Sequence, residues 1–269
     1  MKLHCTLLRL TSLTFVGILQ IATVHSQVII NARDLVLSFR QTGGGATPTD
    51  VGIDIGQASL YYNAVSSFSI AQYTPAQLSG VYSSLNNLSW SIAGATKSGD
   101  GGDAAVPNST LWVTRPRSDV NVQTSPWVAK SAFSQGGTAQ RIFGINNGLG
   151  STFASQVSVS MATIPDGDTQ SAHNYLTDLG NYQGTFQGDV ANNTGTFTQP
   201  VRSDLYELRP ASGNPDGRYL GYFELSPNGG MSFNSAFAAV PEPSSYAIAV
   251  GAALVVFGAF RRRARQSSE

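Results

Sequence analysis

The chain has 269 residues, of which only 12% are charged; sixteen basic side chains balance sixteen acidic ones, and there is one cysteine. The neutrality comes from the basic ends. Between residues 27 and 239, ten basic side chains stand against fourteen acidic ones, a net of −4 that argues against nucleic acid as a partner. Cys5 and two of the three histidines, His4 and His25, lie in the first 26 residues, so the remainder has no thiol, no disulfide and only His173. Thiol catalysis, thiolate metal sites and multi-histidine zinc sites are thereby excluded from the body.

The N-terminus reads as an address. Lys2 and Arg9 flank a segment without acids, residues 10–24 are mostly apolar, and Val24-His25-Ser26 offers a cleavage site before Gln27. This is the layout of a secretory signal peptide over residues 1–26. An uncleaved N-terminal anchor is the competing reading. Residues 27–238 then form one extracytoplasmic domain.

Within that domain short alternating runs are separated by Gly, Pro, Asn and Asp, the pattern of an all-β protein. Residues 28–40 place Leu35, Leu37 and Phe39 on one face and Asp34, Val36, Ser38 and Arg40 on the other. Gly43-Gly44-Gly45 ends that run, and residues 51–55 form a second strand. Thr74-Pro75 is a helix start, a capping residue before a proline, with Leu78, Val81, Tyr82 and Leu85 on one face. Residues 88–93 and 111–114 follow as strands, with Trp90 and Trp112 inward. The next expected strand is 141–145, leading into an Asn146-Asn147-Gly148 turn. Residues 155–161 alternate through Val157, Val159 and Met161, and a short helix is expected around 171–179. Thr185-Phe186 and Thr196-Phe197 read as a hairpin around 192–195. Residues 205–208 and 219–225 pair across a turn at 213–217, and 231–237 is the last strand. The expected architecture is mainly β, a single antiparallel sandwich or jelly-roll-like body with one or two short helices, followed by a C-terminal transmembrane helix.

The candidate sites are sparse, and no cofactor is expected. Asp166-Gly167-Asp168 and Asp100-Gly101-Gly102-Asp103 carry oxygen ligands of the kind calcium takes, with Asp166 and Asp168 as weak candidates. Asp-Gly is equally the chemistry of a solvated tight turn. Glu207 and Glu224 are the only glutamates of the body, and a glycosidase would need two carboxyl groups. Each sits in an alternating strand, where an outward polar residue is expected. Trp127, beside Pro126 and Lys130, is the tryptophan placed to touch a carbohydrate, with core or rim packing as the alternative. His173 reads as a surface or structural residue.

The chain closes on three features in order. Val240-Pro241-Glu242-Pro243-Ser244 precedes an apolar run over 245–260, and Arg261, Arg262, Arg263 and Arg265 follow within five residues. Sixteen helical residues span ~24 Å, short of a ~30 Å hydrocarbon core, so a buried helix competes with a membrane span. The run has no polar face, and the arginines hold its end in the cytoplasm by the positive-inside rule. This tail, residues 239–265, resembles the PEP-CTERM sorting signal of bacterial exosortase substrates, with 266–269 as a cytoplasmic end. The resemblance implies a Gram-negative exopolysaccharide producer. It also implies recognition of Pro241, Glu242 and Pro243 by a membrane-embedded exosortase-type transpeptidase, after export through the Sec translocon and transient anchoring in the inner membrane. Asp34 to Gly43, Ile53 to Ala58, Leu111 to Arg117, Asp204 to Leu208 and Leu220 to Phe223 are also similar to an uncharacterised group of PEP-CTERM proteins. That similarity implies one domain along the body and carries no activity.

The expected function is therefore non-enzymatic. The chain reads as an exported surface or matrix protein, a structural or adhesive component associated with exopolysaccharide in a biofilm. A secreted carbohydrate-binding or carbohydrate-active module with the same tail is the alternative, and a permanent single-span envelope protein is a third.

Overall fold

The computed structural model describes residues 28–41, 48–96, 106–151, 154–168, 171, 186–190 and 197–237. Eleven strands form one antiparallel sheet. In chain order they are β1 (Asp34–Gln41), β2 (Thr49–Gln57), β3 (Phe68–Ser69), β4 (Leu88–Ala95), β5 (Leu111–Pro116), β6 (Ser155–Gln156), β7 (Met161–Pro165), β8 (Gly188–Asp189), β9 (Val201–Leu208), β10 (Arg218–Leu225) and β11 (Met231–Ser235). Their spatial order is β3-β11-β10-β9-β5-β4-β1-β2-β7-β6, with β8 paired to β4. Among the described residues three helices accompany them: α1 (Ser59–Tyr62), α2 (Pro75–Val81) and α3 (Ala132–Leu149).

Both faces of the sheet carry a buried apolar cluster. Period-2 alternation sends Leu35, Leu37 and Phe39 of β1 into one cluster with Ile53, Trp90, Trp112, Leu205, Phe223 and Phe233. Val36 goes to the other face with Ala93, Val113, Ile142, Tyr206 and Leu208. All eight residues of β4 are buried. The sheet also curls. Tyr61 of α1 donates its hydroxyl to the Ile55 carbonyl of β2 at 2.7 Å. Its ring lies 5.4 Å from Phe223 of β10 and 5.1 Å from Phe233 of β11. On a flat sheet at ~4.8 Å per strand, β2 and β11 would be ~29 Å apart.

The first face is closed by α1, α2 and their connections. α2 starts as the sequence requires, with Pro75 in the first turn and Thr74 in a reciprocal capping box with Gln77. Leu78 and Tyr82 are buried, and Tyr82 donates to the carbonyls of Phe39 and Thr49 at 3.0 and 2.9 Å.

The second face is closed by α3, where a strand over 141–145 and a turn at 146–148 were expected. Instead Ile142, Ile145 and Leu149 recur at helical spacing and are buried, Ser131 caps the N-terminus, and Gly150 ends the helix. Gly136, Gly137, Gly144 and Gly148 weaken its intrinsic propensity by about 1 kcal/mol each relative to Ala. Packing on the sheet overrides them. A Cβ on Gly52 of β2 would stand 2.3 Å from the Leu149 side chain, so the glycine is what lets the end of α3 settle on the strand. Gln135, wholly buried, donates to the carbonyls of Ser109 (2.6 Å) and Leu208 (3.0 Å) and accepts from the Lys130 amide (2.7 Å).

Two further expectations change. The run 155–161 is a tight hairpin, not one strand: Val157 and Ser158 both donate to the Met161 carbonyl, and Val159 at the tip is 85% exposed. Serine and glutamine side chains there bond the local backbone, Gln156 to the Ser158 carbonyl and the Ser160 amide to Ser158 Oγ, which competes with a ladder. Phe186 and Phe197 do not face each other as hairpin partners. Phe186 belongs to the second face and Phe197 to the first, while β8 pairs with β4. The triglycine segment, the turn at 192–195 and, apart from Ser171, the helix expected at 171–179 lie outside the described residues.

β8 fills a fork. β5 pairs with β4 only through 93–95, and β8 takes over at Ser89 and Trp90. The Thr114 hydroxyl spans the split: it accepts from the Ile92 amide at 3.0 Å and lies 3.2 and 3.0 Å from the carbonyls of Ile92 and Phe186. Thr114→Val removes that hydroxyl from a buried site and is expected to cost about 2–3 kcal/mol in chemical denaturation, against about 1 kcal/mol for Thr114→Ser, which keeps it.

The buried tyrosines set a pH limit. Burial holds the phenols of Tyr61, Tyr73 and Tyr82 above their ordinary value; for Tyr61 and Tyr82, nearby acids add to the effect. The folded state therefore keeps protons that the unfolded chain releases near pH ~10. Their contribution to stability is full below that pH and is lost as pH rises beyond it. Denaturant midpoints should hold up to pH ~9 and fall steeply above ~10, with phenolate absorbance from these residues appearing only as the fold is lost.

Candidate functional site

A cluster of charged residues gathers on β9 and its neighbours. Asp204 on β9 stands opposite Arg115 of β5 and Tyr222 of β10. Its side chain is fully buried, and Arg117, 6% exposed, reaches it with Nε at 2.8 Å and Nη2 at 2.6 Å. The second carboxylate oxygen accepts from the Thr124 amide and hydroxyl at 2.6 and 2.9 Å. Burial alone would lower the Arg117 pKa, but the hydrogen bond and charge of Asp204 outweigh it and raise the value. Burial, with Asp204 adding to it and Arg117 opposing it, pushes the Tyr219 phenol up to about 12.

This network fastens the segment 117–127 to the sheet. Arg117 and Arg202 both donate to the Val120 carbonyl at 2.9 Å, and their guanidiniums lie 4.4 and 4.9 Å from the Tyr222 ring centre. Tyr206 donates to the Thr124 carbonyl at 2.5 Å, and Arg115 to the Ser125 carbonyl at 2.9 Å. Trp127 ends the strap 8% exposed, not presented on a surface. Its indole N–H donates to the Thr114 carbonyl at 3.1 Å, its ring meets Phe186 edge-on at 5.4 Å, and Arg115 lies 4.5 Å over it. Trp90 and Trp112 are buried in the first cluster, as their inward register requires.

The structure does not bring Glu207 and Glu224 together. Glu224 pairs with Arg202 at 2.6 Å on the Asp204 face. Glu207 is offset by five positions along β9 from Arg202 and faces the other way. That is ~17 Å along the strand, well beyond the separations at which glycosidase carboxylates act. Glu207 is instead fully buried at one end of the sheet, between Arg209 Nη2 at 3.2 Å and Arg218 Nη1 at 3.4 Å. These three residues line an open cavity of ≈ 330 Å³ with Ala129, Ala211, Pro215 and Asp216. The sequence reading did not single out this cavity. The short Glu-x-Arg spacing at 207–209 is the local signal for it, but Arg218 joins only through strand pairing.

Asp166 and Asp168 sit in the turn after β7, closed by the Asp168 amide on the Pro165 carbonyl at 2.9 Å. Among the described residues no group of three or more acids, histidines or cysteines gathers to hold a metal. No helix among them is long and apolar enough to cross a membrane. Asp100, Asp103, His173, the segment 1–26, Pro241, Glu242, Pro243, the run 245–260 and Arg261, Arg262, Arg263 and Arg265 all lie outside the described residues. No family model, curated protein or solved structure matches the chain.

The buried Arg117–Asp204 pair should behave as structure. Arg117→Met strands a desolvated carboxylate and is expected to cost about 3–5 kcal/mol in chemical denaturation. It should also expose the strap 117–127 to limited proteolysis before the rest of the body.

Proposed function

We propose that this chain is an exported cell-surface or matrix protein, a substrate of an exosortase-type transpeptidase, whose body is a structural or adhesive component associated with exopolysaccharide. The observation that carries the reading is the C-terminal order of Pro241-Glu242-Pro243, an apolar run and an arginine cluster, with a signal-peptide layout at the other end. In this reading the Sec translocon exports the chain, residues 245–260 anchor it in the inner membrane, and Arg261, Arg262, Arg263 and Arg265 hold the cytoplasmic end until the tail is cut. Catalysis belongs to the processing enzyme. The ~17 Å offset of Glu207 from Glu224, on opposite faces, favours a body that binds or scaffolds over one that hydrolyses.

The curled sheet is read here as a sandwich-like body, because Ile53 of β2 and Phe233 of β11, far apart in strand order, share one buried cluster. Such a body suits export without disulfides, since its stability comes from the core and its buried polar contacts.

The deciding experiment is the intact mass of the mature protein from its native host, with and without the exosortase gene. The expected result is a protein starting at Gln27 that loses the segment after Pro243 only when the enzyme is present. Retention of residues 261–265 in both strains overturns the sorting reading and leaves a permanently anchored envelope protein.

A further inference from the structure

We propose that the cavity at the end of β9 is a subsite for an anionic sugar residue, a hexuronate carried in a polysaccharide. This rests on the exopolysaccharide reading above and names the chemistry that reading leaves open.

The cavity is built, not incidental. Arg209 follows the end of β9 and Arg218 opens β10, so the turn between them forms one wall. That turn is fixed to the strap by a backbone ladder: Ala129 donates to the Pro215 carbonyl at 2.8 Å and Gly217 to the Trp127 carbonyl at 2.7 Å, with Val128 bridged to Asp216. A Cβ at Gly217 would lie 2.3 Å from the Leu208 side chain and 2.8 Å from the Trp127 carbonyl, so this close seam needs glycine.

At the inner end stands Glu207, with no exposed side-chain surface. It occupies one donor on each of two arginines whose side chains remain 44% and 47% exposed. A guanidinium carries five N–H donors, so one carboxylate leaves most of both forks unused. The buried anion holds the forks in place before a ligand arrives, which lowers the ordering cost of binding. Arg218 is further held over the Phe237 ring at 5.1 Å. Two pinned forks match a second carboxylate, which arginine binds bidentately.

Asp216 decides which anion. Exposed in the cavity lining, it joins Glu207 in balancing the two arginines, so the site offers oriented donors without net positive charge, which disfavours a simple inorganic anion. It rewards a ligand that also offers hydroxyls. Ala129, Ala211 and Pro215 supply apolar wall for the C–H face of a ring, and ≈ 330 Å³ accommodates one sugar unit of a chain entering through the open mouth. A body of net charge −4 does not draw a polyanion by its overall field, so recognition rests on this local pair and weakens with salt.

The test is calorimetric titration of the full chain, held in a detergent without sugar headgroups, with trigalacturonate and with neutral galactotriose. The acidic trisaccharide should bind, and the neutral one at least about tenfold more weakly. Ala211→Asp adds a carboxylate to the wall and leaves Glu207, Arg209 and Arg218 in the chain. It should fold as the parent does and weaken binding at least about tenfold. Arg209→Lys, which keeps the charge and loses the fork, should weaken binding in the same direction. Equal affinity for the two sugars, undiminished binding by folded Ala211→Asp, or no binding of trigalacturonate by the folded parent each overturns the subsite. A tail that is cut in a protein that binds no uronate leaves the sorting reading standing and removes only this inference.

Discussion

A single antiparallel sheet with two apolar faces is unstable in water unless both faces are covered, and that requirement organises this molecule. Tyr61 closes the first side by curling the sheet: one hydroxyl fixed to β2, one ring set against β10 and β11. The second side cannot be closed by the same curl. It is covered by α3 and by the end of the strap 117–127 with its continuation at Ala129, which share a cluster with Val36, Ala93, Val113 and Leu208. With no cysteine in the body, nothing covalent holds these covers in place. Their attachment therefore falls to buried polar groups.

Two of those polar groups each make at least three hydrogen bonds. Gln135 bonds three backbone groups at once and ties α3 to the strands beneath it. Asp204 does the same for the strap, accepting from Arg117 and Thr124. Burying a carboxylate is costly, and the cost is offset only because an arginine and two neutral donors converge on it. The same logic at Glu207 gives a different result, because its two arginines stay half in water. One buried acid fastens a segment; the other orients a pair of cations at the rim of a cavity.

Much of this was legible from local sequence. The alternation at Leu35, Leu37 and Phe39, the inward register of Trp90 and Trp112, and the Thr74-Pro75 start of α2 depend on neighbours a few residues away. What was not legible depends on distant partners. α3 carries four glycines and a polar first half, so its propensity is poor, and it is helical because the sheet offers a surface for Ile142, Ile145 and Leu149. Val36, on the face opposite Leu35, is buried for the same reason: the α3 residues in its cluster are about a hundred residues away in the chain. Arg117 and Asp204 are 87 residues apart in the chain, and no spacing rule pairs them. Trp127 sat in a loop-like context, and only the fold shows that the loop is pressed inward.

The strap explains how these parts depend on one another. Its first half is held by Arg117, Arg202 and Asp204, its end by Trp127 in the second core, and its continuation at Ala129 forms one wall of the cavity. The cavity therefore has no independent foundation. Loosening Asp204 frees the strap at Thr124, and the seam from Trp127 to Gly217 that sets the width of the cavity loses its support. A rigid rim is what a weak, local charge site on an acidic body requires, because two forks gain from preorganisation only while their wall stays fixed. The buried Arg117–Asp204 pair, whose acid stands three residues from Glu207 on the same strand, thus supports the rim of the cavity as well as the strap.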